Sequence, residues 1–563
     1  MGKKSKRNRE ASKKQQSARV QQGRVTNTST TNDVAAAVVG NEIELSTSAR
    51  ILGDTIDSLG QLVEKGDHGG IITHESNLVC LATALEGTEP EEASCIYLML
   101  AEAFDVTGCS SMIAREKSIR YLERSFALSD KEIILQACVR QLMPLYLQEG
   151  RHDRAFGVFK RLTGRIPQQE LIDPGLILSL AQGLHVASLN EKVIEILSMF
   201  LGTINRSWDK DMRAAAYLVF GEGYTALNEY EKAASFLQKA LTTTDDLDLK
   251  VAVLCQMGTM SRFSCNYDDS LATLNQAVEI LSAESGERRE KSKSWSKLTI
   301  LVHSNIGDVL SEQGKCDLEA LESFERALVI LKEEDRGGDT TRKLALLYQG
   351  IGLVHARLGN WDEAIDFLKL AHSTIGKSAE IIDSHLQPNF CKDIGRVRLD
   401  QYFWDERLRQ NAQERENILM EAATFSQESI KFHWSYSNNA ILNYAQVAYF
   451  KAEIGEANKF LMAYFEAEIQ MEKNFGISCR SCKRKAGNGT DIKICRNCQV
   501  VNYCCEAHQA LAWRRGRLSH KVMCPFLKRY RLVTKAKNRI DIESFEDICK
   551  DFFKTVCVLK YEV

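Results

Sequence analysis

Eight residues toward the end of the chain could do metal chemistry together. They read Cys479-x2-Cys482-x12-Cys495-x2-Cys498-x5-Cys504-x3-His508-x11-His520-x3-Cys524. A Cys-x2-Cys pair turns back on itself so that both sulfurs face one ion, and the segment has two such pairs. Cys504 with His508, and His520 with Cys524, are four residues apart, which places each pair on one face of a predicted helix. Thiolate and imidazole donors select zinc over magnesium or calcium. Eight ligands fill two tetrahedral sites and leave no open position, so two Zn2+ ions of structural rather than catalytic kind are expected. Seven of the 17 cysteines crowd into residues 479–524. The others, such as Cys138, Cys255 and Cys557, sit mostly inside apolar helical patterns. They read as small buried hydrophobes of a reducing compartment.

The elements that must carry this cluster are helical. From about residue 43 to 476 the apolar spacing follows a helical period, without convincing strand alternation. Only 6 prolines occur in 563 residues, and a proline-poor chain suits long uninterrupted helices. Within this region one pattern returns. Tyr217-x-x-Phe220-Gly221-x-x-Tyr224 is followed by Ala233-x-x-x-Leu237-x-x-Ala240. The frame comes back at Gly258, Leu274 and Ala277, at Gly307, Ala320, Phe324 and Ala327, and at Gly352, Ala364, Leu368 and Ala371. Weaker copies place Ala155, Phe159 and Leu162, then Val193, Leu197 and Phe200, and late in the region Ala457, Leu461 and Tyr464. The small residues let two antiparallel helices approach, and the large ones fill the space between them.

This frame resembles the tetratricopeptide repeat, whose period is ~34 residues. Equivalent positions at 155, 193, 233, 270, 320 and 364 are separated by 38, 40, 37, 50 and 44 residues, so helices or loops are extended. The gap from 364 to 457 leaves room for a degenerate unit near 390–430. A helix pair cannot bury its apolar face alone, so the resemblance implies a curved solenoid whose inner surface is a binding groove. The family's inward positions fall on Thr259, Arg262, Ser304, Asn305, Asp308 and Gln349. A non-repeating helical domain is the alternative architecture.

The cysteine-rich segment resembles the MYND zinc finger, on Tyr503-Cys504, Gln509, Trp513 and the His520-x3-Cys524 ending. The resemblance implies interleaved sites: Cys479, Cys482, Cys504 and His508 hold one ion, and Cys495, Cys498, His520 and Cys524 the other. The family usually has Cys where His508 stands. The stretch Arg514 to Ser519 is about one helical turn longer than usual. Cys505 could compete with Cys504, but its family counterpart is not a ligand. MYND fingers bind short proline-containing peptides. Gln509 and Trp513 match the residues that line that peptide groove, while Trp513 could equally pack between the two zinc lobes. Arg496 stands where some peptide-binding members carry a small polar residue.

The implied fold class is mostly α: a tetratricopeptide-like solenoid followed by a small C-terminal two-zinc finger. The expected divisions are a disordered basic tail at 1–33, the solenoid at 43–476, the finger at 477–526 and a helical segment at 527–563. The tail holds nine Lys/Arg against one acid in its first 24 residues, too polar to order itself, and its Lys3–Arg7 run could serve as a nuclear import signal or an anion-binding arm. No secretory signal or 18-residue apolar stretch is visible, so no membrane partner is expected and the location reads as intracellular, cytoplasm and/or nucleus.

The net charge is -2, yet residues 479–539 carry 16 Lys/Arg against Asp491 and Glu506. The functional expectation is a non-enzymatic adaptor, with peptides or proteins bound by the finger and a second partner by the repeats. The alternative is a nucleic-acid-associated regulator acting through the basic finger and tail. A MYND-containing methyltransferase is the third reading. It lacks a strand- and Gly-rich catalytic region, and no Gly-rich phosphate loop occurs.

Overall fold

A computed structural model describes residue 62 and residues 65–556, apart from 107–111, 167–170, 284–292, 315, 335–340, 377–385, 433–437, 476–478, 480, 482–491, 515–518 and 537–541. The basic tail and Cys557 lie outside the described residues. The chain divides into two compact units: residues 1–189 with 196–207, and residues 190–195 with 208–563.

The first unit is helical. Pro90–Val106 pairs with Met112–Leu128, and Glu132–Gln148 with His152–Arg165. Buried serines cross-link the first pair: Ser94 Oγ donates to Ser125 O at 3.0 Å and Ser125 Oγ to Ser94 O at 2.9 Å. Such reciprocal bonds satisfy hydroxyls that would otherwise be costly to bury. Phe159 meets Phe200 edge-on at 6.0 Å, so two residues of the weaker repeat copies share one core.

The second unit is a run of antiparallel helix pairs: Lys210–Ala226 with Tyr230–Thr243, Leu247–Phe263 with Tyr267–Ala283, and Lys293–Gln313 with Asp317–Glu334. Thr341–Leu358 with Trp361–Gly376, Leu386–Trp404 with Ala412–Phe432, and Asn438–Phe450 with Ile454–Phe475 complete it. The pair at 386–432 occupies the place of the degenerate unit. In the four pairs from 210 to 376 close approach rests on the glycine of the repeated frame. A methyl on Gly258 would sit 2.7 Å from Leu274 Cγ, and one on Gly352 would sit 2.9 Å from both Leu368 Cγ and the Ala364 carbonyl oxygen. The long steps have a plain cause in long helices, the first helix of the 293–334 pair having 21 residues.

Five of the six pairs turn through one left-handed residue: Asn228, Cys265, Gly314, Gly359 and Ala452 all have φ between 58° and 81°, while the 386–432 pair is joined through the short 3-10 helix Glu406–Gln410. In this conformation the backbone N–H groups after the helix return to its last carbonyls, as Gly359 N–H does to Ala356 O at 3.2 Å and Asn360 N–H to His355 O at 2.9 Å. A β-carbon on Gly359 would meet nothing within 4 Å, so its only penalty is conformational. Gly359→Ala should therefore cost about 1–2 kcal/mol in urea denaturation. An unchanged midpoint would mean the turn relaxes freely.

After the last pair the chain forms a short antiparallel hairpin, β1 (Lys493–Ile494) against β2 (Asn502–Tyr503). The helices Glu506–Arg514, His520–Ala536 and Ile542–Val556 follow. These are not a separate globule. Phe465 of the last repeat helix stacks on Tyr530 at 5.2 Å and meets Phe552 edge-on at 5.7 Å, and Tyr449 stacks on Phe553 at 4.4 Å. One buried core runs from Ile441, Leu461 and Phe465 through Cys479, Cys495, Cys498 and Cys524 to Phe553.

Candidate metal centre

The hairpin exists because a Cys-x2-Cys turn joins its strands. Cys495 N–H donates to Val501 O at 2.7 Å, and Gln499 N–H to Cys495 O at 2.9 Å, with Gln499 itself left-handed at φ 53°. That turn points both sulfurs inward: Cys495 and Cys498 are buried. The helix His520–Ala536 brings His520 and Cys524, one turn apart, to the same point. The ligand atoms of Cys495, Cys498, His520 and Cys524 all lie within 4.8 Å of one another.

Their spacing tests the fit to zinc. Bonds of about 2.3 Å to sulfur and about 2.0–2.1 Å to nitrogen give a tetrahedron with edges of ~3.8 Å (S to S) and ~3.6 Å (S to N). Cys495 Sγ is 3.8 Å from Cys524 Sγ, and His520 Nε2 is 3.6 Å from Cys498 Sγ and 3.3 Å from Cys495 Sγ. These spacings are compatible with a zinc tetrahedron, and thiol–thiol and thiol–imidazole contacts also span them. Burial, aided by the thiols of Cys524 and Cys495 beside it, pushes the Cys498 thiol up to about 12. A divalent cation would relieve that penalty by pairing with the thiolates. Around the group, Asn497 Nδ2 donates to Cys524 Sγ at 3.2 Å, and Lys528 Nζ holds Asn497 Oδ1 at 3.1 Å.

A second group holds Cys479, Cys504 and His508 within the same limit. His508 Nδ1 is 2.9 Å from Cys504 Sγ, and Ser481 Oγ donates to His508 O at 2.8 Å. The Cys479 sulfur, followed by the Ser264 carbonyl, raises the His508 pKa against the effect of burial. The two groups coincide with the two interleaved sets, and Cys482 lies outside the described residues. One expectation is corrected. Cys504 and His508 do not share a helix face, because the helix starts at Glu506 and Cys504 belongs to the bend that leaves β2. Cys505 is exposed and is not a member of the group that Cys504 joins.

Trp513 is half-buried, its ring edge-on to His520 at 5.5 Å, and it packs against the shared core. Gln509 and Arg496 are exposed. Several basic residues of the segment are already engaged. Arg529 pairs with Asp551 at 2.7 Å, and Arg531 reaches Gln499 Oε1 at 2.5 Å.

The six inward repeat positions are all partly exposed, and some of them bind one another. Arg262 pairs with Asp308 and lies 3.6 Å from Glu312, and Gln349 Nε2 donates to Asp393 Oδ2 at 2.7 Å. Thr259 and Ser304 return their hydroxyls to Cys255 O and Ile300 O. Asp308 keeps 41% of its side chain exposed, yet its pKa is raised, chiefly by desolvation, against Arg262.

Sequence reading missed a third group, His372, Cys391 and Glu428, drawn from three successive helices. It offers three ligands, with His372 Nε2 3.8 Å from Glu428 Oε1. Burial, then Glu428, pushes the Cys391 thiol up to about 12. This is the chemistry of a polar contact between helices.

Models of the tetratricopeptide repeat match residues 216–250 and 297–374, and neither match extends to the cysteine-rich segment. The chain thus carries tetratricopeptide repeats, a likeness that points to protein–protein interaction. No curated protein matches the sequence. Among solved structures, the chain is similar to a signal-transduction ATPase with a tetratricopeptide sensor from Pyrococcus horikoshii (16% identity, TM-score 0.40, 69% of this chain and 54% of that one). It is also similar to the apo quorum sensor NprR from B. thuringiensis (12% identity, TM-score 0.39, 68% and 96%). A third is aspartyl phosphate phosphatase F from Bacillus subtilis (12% identity, TM-score 0.38, 67% and 94%). The chain spans about half the length of the first of these. No function is read from likenesses at these scores. Among the described residues no helix is long and apolar enough to cross a membrane.

Proposed function

We propose that this chain is a non-enzymatic protein-interaction scaffold, in which tetratricopeptide repeats carry a MYND-type finger holding two structural zinc ions. The observation that carries the reading is the buried group Cys495, Cys498, His520 and Cys524, four zinc-type ligands gathered within 4.8 Å of one another, with an S–S spacing of 3.8 Å and an S–N spacing of 3.6 Å. Cys479, Cys482, Cys504 and His508 would hold the other ion. Four protein ligands at each ion leave no position for a substrate or an activated water, which supports a structural rather than a catalytic role. The ions, when bound, would cross-link the hairpin to the helices after it. Thiolate ligands call for a reducing compartment, cytoplasm or nucleus.

The finger's ligand in this reading is a proline-containing peptide. Such a segment is already extended and loses little entropy on docking. Trp513 would offer the accessible part of its indole, with Gln509 beside it for backbone contacts. The repeats would hold a second protein partner. Binding of nucleic acid remains the second reading, favoured by the 16 basic residues of 479–539. It is weakened by the internal pairing of Lys528, Arg529 and Arg531.

The test compares Trp513→Ala with a variant neutralising Arg514, Arg515 and Arg517. Each is titrated against a proline-rich peptide pool and a random DNA duplex at two salt concentrations. Trp513→Ala should lose about 2 kcal/mol of peptide affinity, as aromatic hot spots do, and should keep both zinc ions. The arginine variant should mainly alter salt dependence and on-rate. Loss of binding in the arginine variant alone, with a flattened salt slope on duplex, would transfer the function to nucleic acid.

A further inference from the structure

The carbonyls that end the helix Leu247–Phe263 can be accounted for one by one. Met260 O accepts from Ser264 N–H at 3.0 Å, Ser261 O from Asn266 N–H at 2.8 Å, and Arg262 O from Cys265 N–H at 2.9 Å. Phe263 O lies 3.3 Å from the Tyr230 hydroxyl. The Ser264 carbonyl lies beyond the helix's own hydrogen-bond ladder and must find a donor elsewhere. It faces His508 Nε2 at 2.9 Å, across 244 residues of sequence.

This contact fixes the histidine's chemistry. A carbonyl oxygen can only accept, so Nε2 carries the proton. In the neutral ring Nδ1 then presents its lone pair, and it does so 2.9 Å from Cys504 Sγ, in the group that includes Cys479. A metal-binding histidine is normally oriented in this way, by donating its other N–H to a carbonyl. The helix end adds a favourable partial negative charge. Apolar packing supports the same contact independently. Tyr230, which opens the helix before this repeat, is buried in the core that contains Cys479 and Tyr503, and Met260 and Cys504 both pack against that core. Of the left-handed turns between paired helices, the one at Ser264–Cys265 is where the described hydrogen bonds join repeat to cysteine-rich segment.

We infer that the Ser264 backbone carbonyl is a positioning group of the metal site that includes Cys479, Cys504 and His508, so that loading this site and docking the finger on the 247–283 repeat are one coupled equilibrium. The inference rests on the zinc-finger reading and adds to it that the finger is held as a part of the scaffold rather than as a tethered module. A cysteine in place of His508 supplies a thiolate ligand but no N–H. It thus separates metal binding from docking in one substitution.

The experiment uses the full chain. Zinc is measured per chain, and amide hydrogen exchange is followed over residues 247–283 in the wild type, the chelated wild type, His508→Cys and His508→Ala. The wild type should hold two ions and protect the turn at 261–266. Chelation should speed exchange there at least tenfold, while the 341–376 pair is unaffected. His508→Cys should keep two ions yet exchange at the turn like the chelated protein. His508→Ala should lose one ion and the same protection. If His508→Cys holds two ions and protects the turn as the wild type does, the coupling is overturned while the zinc finger stands. If the wild type holds no zinc, the zinc-finger reading and this inference fall together.

Discussion

Purified under reducing conditions, the chain should contain two zinc ions, and Cys524→Ser should contain one. Cys524 is fully buried, with its sulfur 3.8 Å from Cys495 Sγ and bonded by Asn497. A serine hydroxyl neither ionises near neutral pH nor matches the soft ion. The consequence should spread beyond the hairpin, because the thiols share one core with Leu527, Tyr530 and Phe552. Structural zinc contributes on the order of 10–16 kcal/mol in zinc-finger peptides. Chelation should accordingly release exchange protection in the hairpin and in the helices His520–Ala536 and Ile542–Val556, while the pairs from 210 to 376 keep theirs. Acid should act in the same direction. Burial raises the Cys498 thiol pKa to about 12 without an ion, so metal binding must displace protons and weakens as pH falls. One ion or none in fresh reduced protein would sink the assignment. So would C-terminal helices that exchange no faster after chelation.

Phe324→Ala should be the most damaging substitution within the repeats, at about 3–5 kcal/mol. Phe324 is 2% exposed. Its ring fills the space that side chains at Gly307 and Gly350 would take, since a methyl at either would sit 2.8 Å from it. Those glycines belong to the first helix of its own pair and to that of the next. The ring is therefore a wedge between neighbouring repeats, and removing it weakens the nearest-neighbour coupling on which stacked repeats depend. Urea unfolding followed by circular dichroism should show a lower midpoint and a broader or split transition. A shift below about 1 kcal/mol with unchanged cooperativity would mean that the neighbours close over the cavity.

Glycine facing leucine or phenylalanine was legible as a helix pair because the spacing itself encodes the contact: Gly258 with Leu274, Gly307 with Phe324, Gly352 with Leu368. The left-handed turns were less so. Gly314 and Gly359 announce theirs, as does Asn228, since Asn readily takes positive φ, but Cys265 and Ala452 adopt the same φ under helix-end hydrogen bonds that their residue types do not advertise. Cys504 with His508 misled by its four-residue spacing, because pairing of β2 with β1 delays the helix to Glu506. Arg262 and Asp308 were singled out for exposure to a ligand and turn out to pair with each other, since side chains on adjacent first helices reach across the gap. The Ser264 contact left no trace in the sequence. A backbone carbonyl has no residue signature, and its partner is 244 positions away.

That separation has a kinetic meaning. Most contacts within the repeats join a helix to its immediate neighbour, so the stack can assemble stepwise through short loops, each closing at small entropic cost. The meeting of His508 with Ser264 is of another order. It brings together segments with four further helix pairs between them, and it cannot form until those pairs have set the path of the chain. Long-range contacts of this type close late. Refolding should therefore show fast recovery of helical signal, followed by a slower step whose amplitude requires zinc and whose rate falls when an intervening pair is loosened, as in Phe324→Ala.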